Sequence, residues 1–156
     1  MPVRTTQAWD LRPATPGDLE DIVELKAVVM RPDLVRLGRF DEHRARQRVR
    51  DSYAPEHTSV IVVDGRFAGS VALKPVGDGY FLESFYLDEA VQGRGVGSGV
   101  LRHFLDRTDA EGATVRLIVV QGSAARRLYE RHGFVMEHED PIDVTMVRRP
   151  PADPSP

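Results

Sequence analysis

Gln92-Gly93-Arg94-Gly95-Val96-Gly97 is the stretch whose reading decides the fold. A strand-like run, Tyr80 to Leu87, leads into it, and a helix-like run, Ser98 to Thr108, leaves it. Three glycines at alternate positions leave backbone amides uncovered at the amino end of a helix. Such amides, with the helix dipole behind them, favour an anion, most often phosphate. Arg94 stands among them as a cation. Taken alone, the spacing also fits a tight glycine turn between strand and helix, so the rest of the chain has to arbitrate.

Immediately upstream, Ser59 to Val63 and Phe67 to Lys74 are β-rich and joined by Asp64-Gly65, a hairpin signal. A turn at Val76-Gly77-Asp78-Gly79 then leads to Tyr80 to Leu87, which makes an antiparallel meander. Further back, Trp9 to Arg12 fits a short strand. Thr15-Pro16-Gly17-Asp18 opens a helix, with Thr as N-cap, Pro at the first helical position and an acid three residues after the cap. Leu19, Ile22, Val23, Lys26, Val29 and Met30 follow helical spacing, with Lys26 the polar exception. Asp33 to Arg39 is expected to be irregular and basic. Asp41 to Tyr53 predicts a second, peripheral helix with a solvated charged face, because its interior aliphatics are only Ala45 and Val49.

Downstream of the loop, Val100, Leu101, Phe104 and Leu105 form the buried face of a helix. Val115 to Val120 is nearly continuously apolar, which suits a strand covered on both faces. Ala125, Leu128 and Tyr129 mark another helix face that ends at His132-Gly133. Gly133 suits a left-handed C-cap and His132 a helix-end cation. Phe134 to Glu137 and Val144 to Val147 complete the strands. The order β-α-α-β-β-β-α-β-α-β-β predicts an α/β fold with a central mixed sheet flanked by about four helices.

The totals bound the function. A chain of 156 residues, 41% hydrophobic and 29% charged, is expected to be one domain over residues 1–149, with a disordered tail over 150–156 at Pro150, Pro151, Pro154 and Pro156. A formal net charge of −3 supplies no basic field for nucleic acid. No apolar run approaches the roughly 20 residues of a membrane helix, and Met1 to Asp10 lacks a secretory pattern. The absence of cysteine excludes disulfides, thiolate nucleophiles and Cys-ligated metal, and fits a cytoplasmic protein. His43, His57, His103, His132 and His138 show no metal-ligand spacing, so no metal is expected. Val96-Gly97-Ser98-Gly99 is not a nucleophile elbow, because Val96 stands where a glycine is required.

A second stretch, Arg126-Arg127-Leu128-Tyr129-Glu130-Arg131-His132-Gly133-Phe134, is by itself an amphipathic helix with a glycine stop. Following the glycine loop at this separation, it resembles the second coenzyme motif of the GNAT acetyltransferase superfamily. Gln92 to Gly97 resembles that superfamily's pyrophosphate loop, and the element order is similar over roughly Leu11 to Arg148. The resemblance implies acetyl-coenzyme A as co-substrate and no metal. It implies that Gln92, Gly93, Arg94, Gly95, Val96, Gly97 and Ser98 hold the pyrophosphate. It also implies a bulged central strand whose backbone at Phe85, Tyr86 and Leu87 pairs with the pantetheine arm as an added strand would. Two positions depart from the pattern. Asp88-Glu89 stands where many relatives carry Asp-Pro, and Gly122 aligns with an Asn that often bonds the arm. Ser123, Gln121 or backbone would have to substitute for that Asn.

The resemblance further implies a reaction, an N-acetyltransferase step from acetyl-coenzyme A to a primary amine. Tyr129 matches the tyrosine that protonates the departing thiolate, and a backbone N–H near Leu87 would serve the oxyanion. Glu83, an acid within an apolar strand and on the face of Phe85 and Leu87 by alternation, is the candidate base. A water chain is the other route for the proton. Arg31 and Arg36, near Asp33 and Arg39, fall where the superfamily faces its acceptor and would recognise an acidic group there, unless the segment is simply solvated. The acceptor is a small-molecule amine or a protein amino group, and the protein a monomer or homodimer. A dinucleotide-binding enzyme is disfavoured, because Ser98 takes the third fingerprint glycine and no acid follows the next strand. The alternative that stays open is a non-catalytic sensor that binds acyl-coenzyme A.

Overall fold

The computed structural model describes residues 7–151. Residues 152–156 of the expected disordered tail lie outside the described residues. Seven strands and four helices follow the expected order. They are β1 (Asp10–Pro13), α1 (Leu19–Arg36), α2 (Glu42–Ser52), β2 (Thr58–Val63), β3 (Arg66–Val76), β4 (Gly79–Leu87), α3 (Val96–Ala110), β5 (Val115–Val120), α4 (Ala125–Arg131), β6 (Val135–Glu139) and β7 (Asp143–Arg148). The sheet is mixed, in the order β1-β2-β3-β4-β5-β7-β6. β1 and β2, β2 and β3, β5 and β7, and β6 and β7 pair antiparallel, whereas β4 and β5 pair parallel.

The chain divides into two compact units, Met1–Ala72 with Ser84–Gly99, and Leu73–Glu83 with Val100–Pro156. In the first, Asp18 reaches back to accept from the Thr15 amide at 2.8 Å and fixes the start of α1. Ile22, Val23 and Val49 form a buried cluster against which Leu19, Tyr53, Phe67 and Tyr86 pack. The charged run of α2 is more than a solvated face: Arg46 pairs with Glu24 and Glu42, and Arg50 with Glu20, tying α2 to α1. Asp64 and Gly65 both take positive φ (53° and 73°), as a two-residue hairpin turn of the primed type requires.

The expected irregular segment after residue 32 is instead helical. α1 runs through Pro32 to Arg36. Proline has no N–H to offer the Val28 carbonyl, which costs one helical bond, but the helix stops only where Gly38 turns to φ +67° and donates to the Val35 carbonyl.

In the second unit, Phe134, Leu117, Met146 and Val115 are among the fully buried side chains. β5 is not covered on both faces as its apolar run predicts. Val115, Leu117 and Val119 are buried, while Arg116 is exposed and Ile118 is 52% exposed. Arg148 forks onto both carboxylate oxygens of Asp109, and its Nε donates to the His132 carbonyl at 2.7 Å. Gly133 takes the left-handed C-cap at φ +91°.

Candidate functional site

In the first unit, the loop between β4 and α3 is built by its own hydrogen bonds. The Asp88 carboxylate accepts from the Ala90 amide at 2.9 Å and caps a single turn, Glu89–Val91. The Gln92 side chain then donates back to the Leu87 carbonyl at 2.8 Å. Gly93 (φ +76°) and Gly95 (φ +81°) are left-handed, and Arg94 between them is not. Alternation of this kind turns successive N–H groups to one side and makes an anion nest. α3 begins at Val96, two residues earlier than its hydrophobic spacing indicates, and its first helical bond runs from Gly99 N to Gly95 O at 3.0 Å. The amides of Val96 and Gly97 precede that bond, so the helix itself offers them no acceptor. Arg94 donates to the Gln7 side chain at 3.2 Å, and its own carbonyl accepts from the Gln7 amide. Beside the loop lies a cavity of about 560 Å³ whose lining includes Arg66, Phe67, Ala90, Val91 and Arg94.

The strand leading to the loop is bulged. Ser84 takes φ +51°, which a residue with a Cβ rarely adopts. The pleat is therefore broken between Glu83 and Phe85, and strict alternation no longer assigns Glu83 to the face of Phe85 and Leu87. Three consecutive β3 residues meet the bulged segment. The Ala68 carbonyl accepts from the Asp88 amide at 2.8 Å. A Cβ on Gly69 would lie 2.3 Å from the Tyr86 carbonyl oxygen. The Ser70 hydroxyl donates to the Ser84 carbonyl at 2.8 Å.

In the second unit, β4 pairs with β5 at Tyr80↔Val115 and Phe81↔Arg116. Glu83 is ion-paired, which its apolar sequence context does not indicate. The ammonium of Lys74 sits 2.7 Å from its Oε1, and both side chains are about one quarter exposed (23% and 26%). Tyr129 is buried on α4, with its ring edge-on to Phe134 at 5.6 Å between centroids. Gly122 has φ +77°. The Ser123 hydroxyl accepts from the Ala125 amide at 3.2 Å, in the turn that opens α4. Gln121 is committed to the far side of that loop, donating to Glu139 and to the Asp140 carbonyl. Burial, with Arg102, Arg131 and Arg148 nearby, pushes the His132 pKa down, against the helix-end cation that its position suggests.

Arg31 and Arg36 both lie on α1. The Arg31 guanidinium stacks over Phe40 at 5.2 Å, and Arg36 pairs with Asp33 at 3.1 Å. The groove that α1 does line is acidic. A cavity of about 280 Å³ has Leu25, Val28, Val29 and Phe67 as apolar lining and Asp21, Glu24, Asp88 and Glu89 as carboxylates. Asp21 and Glu24 sit three residues apart, a spacing that shares a helix face, and that signal was open to sequence reasoning. The Lys74–Glu83 pair was hidden in the hairpin register. Among the described residues no group of three or more His, Asp or Glu side chains could hold a metal ion. No helix there is long and apolar enough to cross a membrane.

A seven-stranded mixed sheet with four helices, one of them headed by a loop of left-handed glycines, makes this a mixed α/β protein. The sequence model of the acetyltransferase (GNAT) family matches residues 22–134, and the chain belongs to that family. With the family goes its acyl donor, acetyl-coenzyme A. Compared with curated proteins, the sequence matches none. Solved structures carry the same fold at low identity. PaiA N-acetyltransferase from Thermoplasma acidophilum, in complex with coenzyme A, is 20% identical with a TM-score of 0.74, covering 92% of this chain and 99% of that one. The ribosomal-protein-S18-alanine N-acetyltransferase from Escherichia coli is 18% identical with a TM-score of 0.68, covering 94% and 97%. Ard1 from Thermoplasma volcanium is 24% identical with a TM-score of 0.66, covering 92% and 98%.

Proposed function

We propose that this acetyltransferase moves an acetyl group from acetyl-coenzyme A to a primary amine. The observation that carries the reading is the nest, with left-handed Gly93 and Gly95 flanking Arg94 at the head of α3. Backbone N–H groups gathered at a helix N-terminus suit a pyrophosphate. They are joined by the exposed Arg94 guanidinium, which spends one of its five donors on Gln7. On this reading Gln92 to Ser98 hold the pyrophosphate, and Phe85, Tyr86 and Leu87 offer backbone to the pantetheine arm as an added strand does. Ser123 stands in for the Asn that Gly122 replaces, since Gln121 is occupied elsewhere.

The bound donor supplies an activated thioester carbonyl. The chain supplies the rest: a backbone N–H near Leu87 for the oxyanion, Tyr129 to give the departing thiolate a proton, and Glu83 to take a proton from the amine, directly or through water. With Glu24 already paired to Arg46, the carboxylates of Asp21, Asp88 and Glu89 that line the cavity under α1 still support an acceptor that carries positive charge. They do not favour the acidic group that Arg31 and Arg36 would recognise, and those arginines already engage Phe40 and Asp33.

The test is a thiol-release assay with acetyl-coenzyme A across a panel of small amines, amino acids and peptides with free amino termini. Release that depends on one amine class supports the proposal. Tight binding of acetyl-coenzyme A with no turnover on any amine returns the non-catalytic sensor reading. Absence of coenzyme binding overturns both.

A further inference from the structure

We infer that Ser70 is a positioning residue for the acetyl transfer: its hydroxyl holds Ser84 in the left-handed conformation that shapes the coenzyme-facing edge of β4. The inference rests on the coenzyme reading above for its functional half, and on the bulge alone for its structural half.

Ser70 is out of place by packing. It sits mid-strand in β3, opposite Val60 of β2, at 0% exposure, where an aliphatic side chain would bury apolar area at no polar cost. A buried hydroxyl is retained without penalty only if it is hydrogen-bonded. Its one proton goes to the Ser84 carbonyl at 2.8 Å. Ser84 is one of two non-glycine residues of the described chain with positive φ, and the other, Asp64, lies in a hairpin turn where the turn itself demands it. No turn demands it at Ser84. An unfavourable backbone conformation of this kind persists only where the surroundings over-determine it.

The surroundings are β3. Ala68 takes the Asp88 amide, and Gly69 admits the Tyr86 carbonyl where a Cβ would leave no room. These two contacts need only backbone. Ser70 is the one side chain of the three that grips the segment, and it grips the residue that carries the strain. Without it, Ser84 is free to relax toward an ordinary strand φ. That relaxation rotates the peptide groups of Phe85 to Leu87, and displacement of aligned groups by about 1 Å is enough to cost up to roughly a hundredfold in rate.

Ser70→Ala removes the hydroxyl and keeps the strand. We expect acetyl-coenzyme A affinity and kcat to fall, each on the order of tenfold, with the acceptor KM unchanged within about twofold. The decisive readout is rescue. Ser84→Gly, which accepts φ +51° without strain, should restore at least half of both losses when added to Ser70→Ala. A merely structural serine would give a variant that is less stable, equally active once folded, and indifferent to Ser84→Gly. Amide hydrogen exchange on the coenzyme-free protein provides a second measurement. Protection at residues 84–88 should fall selectively in Ser70→Ala and return in the double variant. Unchanged coenzyme affinity and kcat in Ser70→Ala, or no rescue, overturns the positioning role. Unchanged exchange overturns the clamp. If the wild-type protein fails to bind acetyl-coenzyme A, the coenzyme reading and the role in transfer fall together, while the exchange data still decide the clamp.

Discussion

Asp18→Asn changes one atom and tests how α1 is anchored. Asp18 accepts from Arg12 Nη1 at 2.9 Å and Nη2 at 2.8 Å, from the Thr15 amide at 2.8 Å and from the Thr15 hydroxyl at 3.1 Å. Its side chain is 11% exposed and that of Arg12 is 45% exposed. Charge-assisted hydrogen bonds contribute about 1.5–3 kcal/mol in buried settings. The exposure of Arg12 roughly halves that for the pair through solvent screening. Losing the carboxylate that reaches back to Thr15 adds about 1 kcal/mol, the usual effect of a lost cap. The expected loss is about 1.8–2.5 kcal/mol, or roughly 4–10 °C in Tm for a chain of this size.

The pH dependence provides the sharper check. The Arg12 hydrogen bonds hold the Asp18 carboxyl well below its ordinary range, outweighing burial, which acts the other way. In the unfolded chain an aspartate titrates near pH ~3.9. The stability that the ionised form contributes is therefore complete above about pH 4 and is lost as the pH falls toward the lower folded value. Urea denaturation of both proteins at neutral pH and near pH 3 should show a gap that closes on acidification. A gap that is independent of pH, or one below about 0.5 kcal/mol at neutral pH, would refute the reasoning.

Three predictions concern the proposed chemistry. Gly95→Val places a β-branched residue at φ +81° and should weaken acetyl-coenzyme A binding by at least about tenfold, since such residues resist the left-handed region; calorimetric titration with unchanged affinity would reject the nest. Tyr129→Phe keeps the edge contact with Phe134 and should lower kcat while leaving coenzyme affinity near wild type; unaltered turnover would reduce the tyrosine to packing. Glu83→Gln, which also discharges the pair with Lys74, should lower turnover by roughly 10²–10⁴-fold and displace the acid limb of the pH–rate profile; a wild-type profile would move proton removal to water or another group.

Much of the fold could be read along the chain because its signals are local. Asp64-Gly65, the Thr15-to-Asp18 helix start and the Gly133 cap each express a backbone requirement that a short stretch states by itself. Misreadings arose where tertiary context overrode a local sign. Pro32 is a helix breaker by propensity, yet α1 continues past it. The apolar run of β5 promised two covered faces, and Ile118 is half exposed. For the candidate site, the loop glycines were legible because their conformations depend on residue type. The surroundings of Glu83 were not, since Lys74 reaches it only through the pairing of β3 with β4. The bulge at Ser84 has no sequence signature of its own: serine is a poor choice for φ +51°, and its cause sits fourteen residues earlier. The polar Ser70 inside the apolar run Phe67 to Lys74 was a visible anomaly whose meaning required the fold.

The close approach at Gly69 reaches into the history of this chain. Every amino-acid replacement of glycine adds a Cβ, so every first substitution at this position drives an atom to within 2.3 Å of the Tyr86 carbonyl oxygen. The route out must begin in β4, with a backbone shift that opens room before the codon moves. Lineages that keep the bulge thus inherit glycine here as a ratchet, and those that replace it should carry an altered course of residues 84–87 as the trace of the order in which the two changes came.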